Sequence, residues 1–379
     1  MDIDTPTPLL ATLTPREFMR RHWQKKPLLI RGATAGEAPW LDRRALFELA
    51  AREGVESRLI EQAGHDWTLK HGPFARRSLP PLLRPRWTLL VQGLDLHLDA
   101  AHALMQRFRF VPDARLDDVM VSFATDGGGV GPHFDSYDVF LLQLHGRRRW
   151  RIGRLPDARL VDDVPLKILA NFVAEDEWLL EAGDMLYLPP RWAHDGIAEG
   201  ECLTCSIGFR AASRGELGRE LLTRIADEET DAPSAEALYR DQHQAASATP
   251  ARIPEALQAF ADDALKRALA RPGATARALG EALSEPKPQV WFDAGAAVEP
   301  GQGVVLDRRT RMLYDDAHVF VNGESFRCAG RDAVLVRRLA DQRRLTPVDL
   351  IRLSEPARSL LADWAEAGWL RGTIETPAT

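Results

Sequence analysis

Cysteine is scarce. Three residues in a chain of 379 exclude a disulfide scaffold and make a reducing cytoplasm the expected compartment. No apolar run approaches the length of a membrane span. The acidic start Met1-Asp2-Ile3-Asp4-Thr5-Pro6 lacks the basic and apolar regions of a signal peptide. A basic excess is missing too: 49 Lys+Arg stand against 55 Asp+Glu, for a net charge of −6. That balance argues against a protein built to grip nucleic acid, and it suits a cationic protein partner. There is no internal repeat and no low-complexity tract. With 45% hydrophobic and 27% charged residues, the composition is that of a soluble globular protein of two or three domains.

Local signals then divide the chain. Thr14-Pro15-Arg16-Glu17 has the N-cap threonine, first-turn proline and third-position glutamate of a capping box, so a helix is expected to about Trp23. Helices are also expected over 42–53 and 99–107, with short strands at 28–31, 58–61, 67–70 and 87–92. From Asp118 to Phe209 the pattern is short β runs joined by turns: 119–123, 139–144, 149–152, 178–180, 185–188 and 203–209. Many short strands with such punctuation predict a sandwich or barrel. After Arg210 the composition turns to Ala, Leu, Glu and Arg, and helices are expected over 215–227, 235–246, 254–270 and 274–283. Leu257, Phe260, Ala264, Leu265, Ala268 and Leu269 form an apolar stripe that must be buried somewhere, which favours an interface over a bare linker. The last ninety or so residues combine short strands at 303–307, 311–314 and 318–321 with helices at 332–340, 347–353 and 357–366, and a returning strand near Trp369. That mixture is winged-helix-like. From Gln289 onward 12 Arg and no Lys face 13 Asp+Glu, so no direct nucleic-acid binding is expected.

The stretch that could carry chemistry is Gly127-Gly128-Gly129-Val130-Gly131-Pro132-His133-Phe134-Asp135. Glycines permit tight turns and close approach to a ligand, and His133 and Asp135, two apart, share one face of an extended chain. A distant histidine, His194, follows the turn at Pro189-Pro190. Two imidazoles and a carboxylate with open positions form the facial triad of non-haem Fe(II) oxygenases. His145 competes, but Leu144-His145-Gly146 reads as a hairpin turn. In Arg147-Arg148-Arg149-Trp150, Arg147 and Arg149 read as a solvated basic turn. Alternation sends Arg148 to the opposite face with Trp150. An inward arginine needs a carboxylate partner, which an acidic co-substrate could supply. Cys202-Leu203-Thr204-Cys205 lacks the second pair of a zinc site and the helix of a redox site, and is read as packing. Asp126, Asp138, Asp195 and Glu199 flank the expected barrel mouth.

At these residues the chain resembles the Jumonji-C-type 2-oxoglutarate oxygenases, and within them the bacterial ribosomal oxygenases. The resemblance runs through Arg21-His22-Trp23-Gln24-Lys25-Lys26-Pro27, His71-Gly72-Pro73-Phe74, Trp87–Gln92, Gly127–Phe140, Gly146–Trp150, Gly183-Asp184, Tyr187–Pro190 and Ser206–Arg210. It implies an α+β chain: a double-stranded β-helix (1–210), a helical dimerisation segment (211–288) and a winged-helix-like domain (289–379). It implies His133, Asp135 and His194 as Fe(II) ligands, and Ser122 and Arg148 as the groups that bind the remote carboxylate of 2-oxoglutarate. The implied activity is oxygen-dependent hydroxylation of an arginine in a large-subunit ribosomal protein, with succinate and carbon dioxide released. Alternatives within the superfamily are a histidine hydroxylase of ribosomal proteins and a lysine demethylase. A homodimer and a cytoplasmic location are implied as well. Two departures from the family pattern are Thr125-Asp126, read as a solvated loop, and Thr204, which bears on co-substrate contacts.

Overall fold

Alternation of apolar side chains on long antiparallel strands sets the architecture. The computed structural model describes residues 2–230 and 237–373, and these fall into two compact units that meet in sequence at Ala211 and Ala212. The first unit contains α1 (Pro15–Arg21), β1 (Leu28–Ile30), α2 (Arg43–Ala50), β2 (Ser57–Ala63), β3 (Asp66–His71), β4 (Trp87–Val91), α3 (Leu94–His97), α4 (Asp99–Gln106), β5 (Leu116–Ala124), β6 (Val139–Arg154), β7 (Asp176–Glu181), β8 (Met185–Leu188) and β9 (Trp192–Phe209). Thr14 makes the expected reciprocal cap with Glu17. The strands form one nine-stranded sheet in the order β1-β8-β6-β9-β5-β4-β2-β3, with β7 also on β6. All pairings are antiparallel.

Period-two burial sorts the two faces. Val139, Leu141, Leu186 and Leu188 pack with Trp150, Ile152 and Leu180 inside the barrel. Their neighbours Phe140, Leu142, Met185 and Tyr187 join the main core on the other side, with Phe18, Phe108 and Phe209. There Phe18 meets Tyr187 edge-on at 4.9 Å, and Trp23 meets Phe209 at 5.0 Å. These contacts fasten the N-terminal helix to the back of the strands that carry the site.

Two expected β runs, 139–144 and 149–152, are one strand. His145-Gly146 is not a hairpin turn but an irregularity in β6, between register breaks at Gln143/His145 and His145/Arg147. Gly146 takes φ +66°, and a Cβ there would lie 2.1 Å from the Glu201 carbonyl. The strand therefore bends without breaking, which lets β6 serve both layers of the barrel. Arg147 and Arg149 are likewise on the strand rather than in a solvated turn, and both pair with Glu199.

The second unit holds α5 (Arg214–Thr230), α6 (Glu255–Ala270), α7 (Ala274–Ser284), β10 (Gly303–Leu306), β11 (Met312–Tyr314), β12 (His318–Val321), β13 (Glu324–Arg327), α8 (Gly330–Gln342), β14 (Arg344–Leu345), α9 (Pro347–Ile351), α10 (Glu355–Glu366) and β15 (Leu370–Thr373). Two three-stranded sheets, β14-β10-β15 and β11-β12-β13, share a core with α8 and α10 through Leu335, Leu339, Leu361 and Trp364. The helix expected over 235–246 falls partly outside the described residues, and residues 237–246 are not helical.

Gly146→Ala combines a left-handed backbone with a backbone clash, so urea unfolding should show a loss of about 2 kcal/mol or more. Gly200→Ala is the control: φ is +74° but nothing lies within 4 Å of the added methyl, and the expected loss is about 1 kcal/mol.

Candidate metal and co-substrate site

The glycine run brings His133 to the strand that begins after the Pro-Pro turn. Gly127 has φ +69°, and a Cβ on Gly129 would lie 2.6 Å from the Gly196 carbonyl. The loop therefore lies flat against β9, with Gly127 N donating to Ala198 O and Ala198 N to Gly128 O, both at 2.9 Å. The bridge that decides the geometry follows. His133 N donates to His194 O at 2.9 Å, and His194 N returns a bond to His133 O at 2.7 Å. The two imidazoles are then neighbours, with centroids 4.3 Å apart. Asp135, two residues on, brings Oδ2 to 3.7 Å from His194 Nε2. One ligand atom from each of His133, Asp135 and His194 lies within 4.8 Å of the others.

Both rings have the same tautomer imposed on them. His133 Nδ1 lies 2.9 Å from the Gly131 carbonyl, and His194 Nδ1 lies 2.9 Å from the Trp192 carbonyl. A carbonyl only accepts, so each Nδ1 carries the proton and each Nε2 lone pair is left for a cation. Burial, and then the neighbouring His133, lower the His194 pKa from 6.5 to about 4, with Asp135 opposing. The ring is thus neutral, as a ligand must be. The donor set fits a divalent first-row metal with open positions.

Deeper in the barrel, Ser122 on β5 is the register partner of Thr204 on β9, and Arg148 on β6 is that of Ala198. Arg148 Nη1 donates to Ser122 Oγ at 3.1 Å. The arginine is 5% exposed, yet its Nε and Nη2 have no hydrogen-bond partner. Its register partner Ala198 belongs to a small buried cluster with Ala124 and Cys202. A buried cation with two idle donors is costly unless a carboxylate arrives. Cys202 and Cys205 are buried and free. Thr204 donates at 2.9 Å to Oε1 of Gln143, its register partner on β6.

The acids expected at the mouth are already engaged. Asp138 is fully buried and accepts from Tyr187 Oη at 2.6 Å and Gln24 Nε2 at 3.1 Å. Asp195 pairs with Arg151, and Glu199 with Arg149. Asp126 is not merely solvated, since its Oδ1 takes the Gly200 N–H at 2.8 Å. Sequence reasoning missed Tyr137. Its hydroxyl is pushed above the ordinary tyrosine range by partial burial, with 39% of the residue still exposed, and then by Asp135, Asp118 and Asp117. Its place two residues beyond Asp135 was the available signal.

Comparison with known proteins bears on this geometry. Residues 103–217 match the model of a JmjC domain and residues 262–371 that of a ROXA-like winged helix. Over 217 residues the chain is 40% identical to the ribosomal protein uL16 3-hydroxylase of Escherichia coli, and over 209 residues 38% identical to a probable ribosomal oxygenase of Haemophilus influenzae. Those alignments span 57% and 50% of the relatives' lengths, and 57% and 52% of this chain. The crystal structure of the E. coli ribosomal oxygenase YcfD superimposes with a TM-score of 0.79 at 30% identity, covering 96% of this chain and 99% of that one. The chain belongs to the ribosomal oxygenase family. Another YcfD structure, in complex with cobalt and 2-oxoglutarate, matches with a TM-score of 0.80 at 29% identity, again over 96% and 99% of the two chains. Family membership accounts for the α+β barrel and for the winged helix of the second unit.

The metal-free protein should lose stability in acid. The unfolded chain protonates His194 near 6.5, whereas the folded chain resists until about 4, so protons favour unfolding across that window. Thermal melts of chelator-treated protein should fall as pH drops from 6.5 toward 4, and His194→Gln should flatten that slope.

Proposed function

We propose that this ribosomal oxygenase is an Fe(II)- and 2-oxoglutarate-dependent hydroxylase of an arginine side chain in a large-subunit ribosomal protein. The observation that carries the reading is the pairing of a converged His133–Asp135–His194 set with an unsatisfied buried guanidinium on the same barrel. When bound, the metal and 2-oxoglutarate supply an oxidant from molecular oxygen, with succinate and carbon dioxide as the co-products. The chain's own residues bind, orient and keep water out. His133 and His194 present Nε2 lone pairs, and Asp135 supplies the compensating negative charge. Arg148 takes the remote carboxylate through its planar fork, with the Ser122 hydroxyl as a further donor. The distance from this anchor to the triad selects the length of the dicarboxylate. The apolar lining from Leu141, Leu186 and Leu188 keeps the interior dry.

A ribosomal-protein substrate is supported by the likeness to the uL16 3-hydroxylase of E. coli, and the choice of arginine follows the family resemblance. A cytoplasmic location follows from a ribosomal substrate, and among the described residues no helix is long and apolar enough to cross a membrane. The helical segment 211–288 serves as a homodimer interface: Leu257, Phe260, Leu265 and Leu269 of its stripe are exposed in the single chain. The winged-helix-like unit, 289–379 in this division, faces protein rather than nucleic acid.

His133→Ala should abolish succinate formation. Arg148→Ala should raise the 2-oxoglutarate requirement at least about tenfold, the scale of a lost charge-assisted hydrogen bond. Unchanged kinetics in both would remove the site assignment. Mass spectrometry of ribosomal proteins from cells with and without the gene should show the mass of one oxygen atom on arginine. The same mass on histidine would support a histidine hydroxylase, and loss of methyl groups from lysine a demethylase. For the interface, Leu265→Asp with Leu269→Asp should convert a dimer to a monomer in light scattering. A wild-type monomer would refute the interface.

A further inference from the structure

Two buried side chains on one face of β6 carry hydrogen-bond donors that nothing accepts. Arg148 leaves Nε and Nη2 unbonded, and Trp150, two residues on, leaves Nε1 unbonded. Both side chains are 5% exposed, and a buried indole N–H ordinarily finds an acceptor. The β6–β9 register pairs Arg148 with Ala198, Trp150 with Gly196 and Ile152 with His194. Trp150 therefore stands midway between the carboxylate anchor and the metal ligand. Its ring centroid is 5.7 Å from the guanidinium carbon and 5.8 Å from the His194 ring. Gly196 makes room for it: a Cβ there would meet three carbons of the benzo ring at 2.6–2.9 Å. The benzo part of the ring is thus packed against β9 at Gly196, at the end of the indole remote from the N–H.

A molecule that spans from Arg148 to the triad must pass beside this ring. We propose that Trp150 is a third donor to the co-substrate, its indole N–H bonding a carboxylate oxygen of the dicarboxylate held by Arg148 and Ser122. The inference rests on those two residues being the anchor. It explains why a tryptophan with an idle donor is buried here, where phenylalanine would fill a similar space without an unsatisfied group.

The test uses the full-length protein loaded with zinc, which has no redox chemistry and keeps the complex inert and diamagnetic. With 15N-labelled tryptophan, the Trp150 indole cross-peak is assigned by its loss in Trp150→Phe, or in Trp150→Tyr should the first variant not fold. Saturating 2-oxoglutarate should move that peak downfield in the proton dimension. By calorimetry the Kd for 2-oxoglutarate should rise about tenfold in the variant. A cross-peak that stays in place, or a Kd unchanged by the substitution, overturns the proposal while leaving the anchor intact. Arg148→Ala in the same assay separates the two readings: unaltered binding there removes the anchor, and this inference with it.

Discussion

A two-way backbone hydrogen bond between His133 and His194 is the constraint on which the site depends. Neither residue is near the other in sequence, and neither ring alone could hold a cation in place. The reciprocal N–H to carbonyl pair fixes the separation of the two Cα atoms and hence of the two imidazoles. The flat glycine run on one side and the Pro-Pro turn on the other exist to permit it. With both Nδ1 atoms occupied by local carbonyls, the rings can neither flip nor change tautomer without losing a bond. Asp135 needs only the two-residue step to join them. Preorganisation of this kind lets a site bind a metal without refolding around it.

The barrel's second polar feature has the opposite character. The triad is well supplied with partners, whereas Arg148 is under-supplied. A guanidinium in a dry interior costs several kcal/mol after relaxation, and one serine hydroxyl with the Trp150 ring 5.7 Å away offsets only part of that. The folded chain is thus less stable than it could be with an apolar residue there, a deficit that the proposed dicarboxylate would offset on binding. Under the proposed function, selectivity would follow from the same deficit, because a ligand without a remote carboxylate would leave the guanidinium unpaired.

Much of this was legible in the sequence because it is local. Alternation along Arg147–Trp150 placed Arg148 and Trp150 on one face. The spacing of His133 and Asp135 placed two of the three converging side chains on one face, and the Thr14–Glu17 cap gave the first helix. The failures concern long-range order. His145-Gly146 reads as a turn because glycine and histidine are common in turns, and only the β9 register reveals a bend within a continuous strand. Asp138, Asp195 and Glu199 seemed available at the mouth because their partners, Tyr187, Arg151 and Arg149, lie on other strands or across a register that composition does not disclose. The helix expected through Ala246 rested on a composition rich in Ala, Leu, Glu and Arg, and the described part of that segment has no buried face to hold it.

The account's central claim is that His133, Asp135 and His194 jointly ligate one metal ion. A crystal of the full chain loaded with cobalt, measured on both sides of the cobalt absorption edge, tests it most directly. One anomalous peak per chain, bonded to both histidine Nε2 atoms and an Asp135 carboxylate oxygen, is the predicted result. A peak elsewhere, or none while these side chains keep their positions, would contradict it.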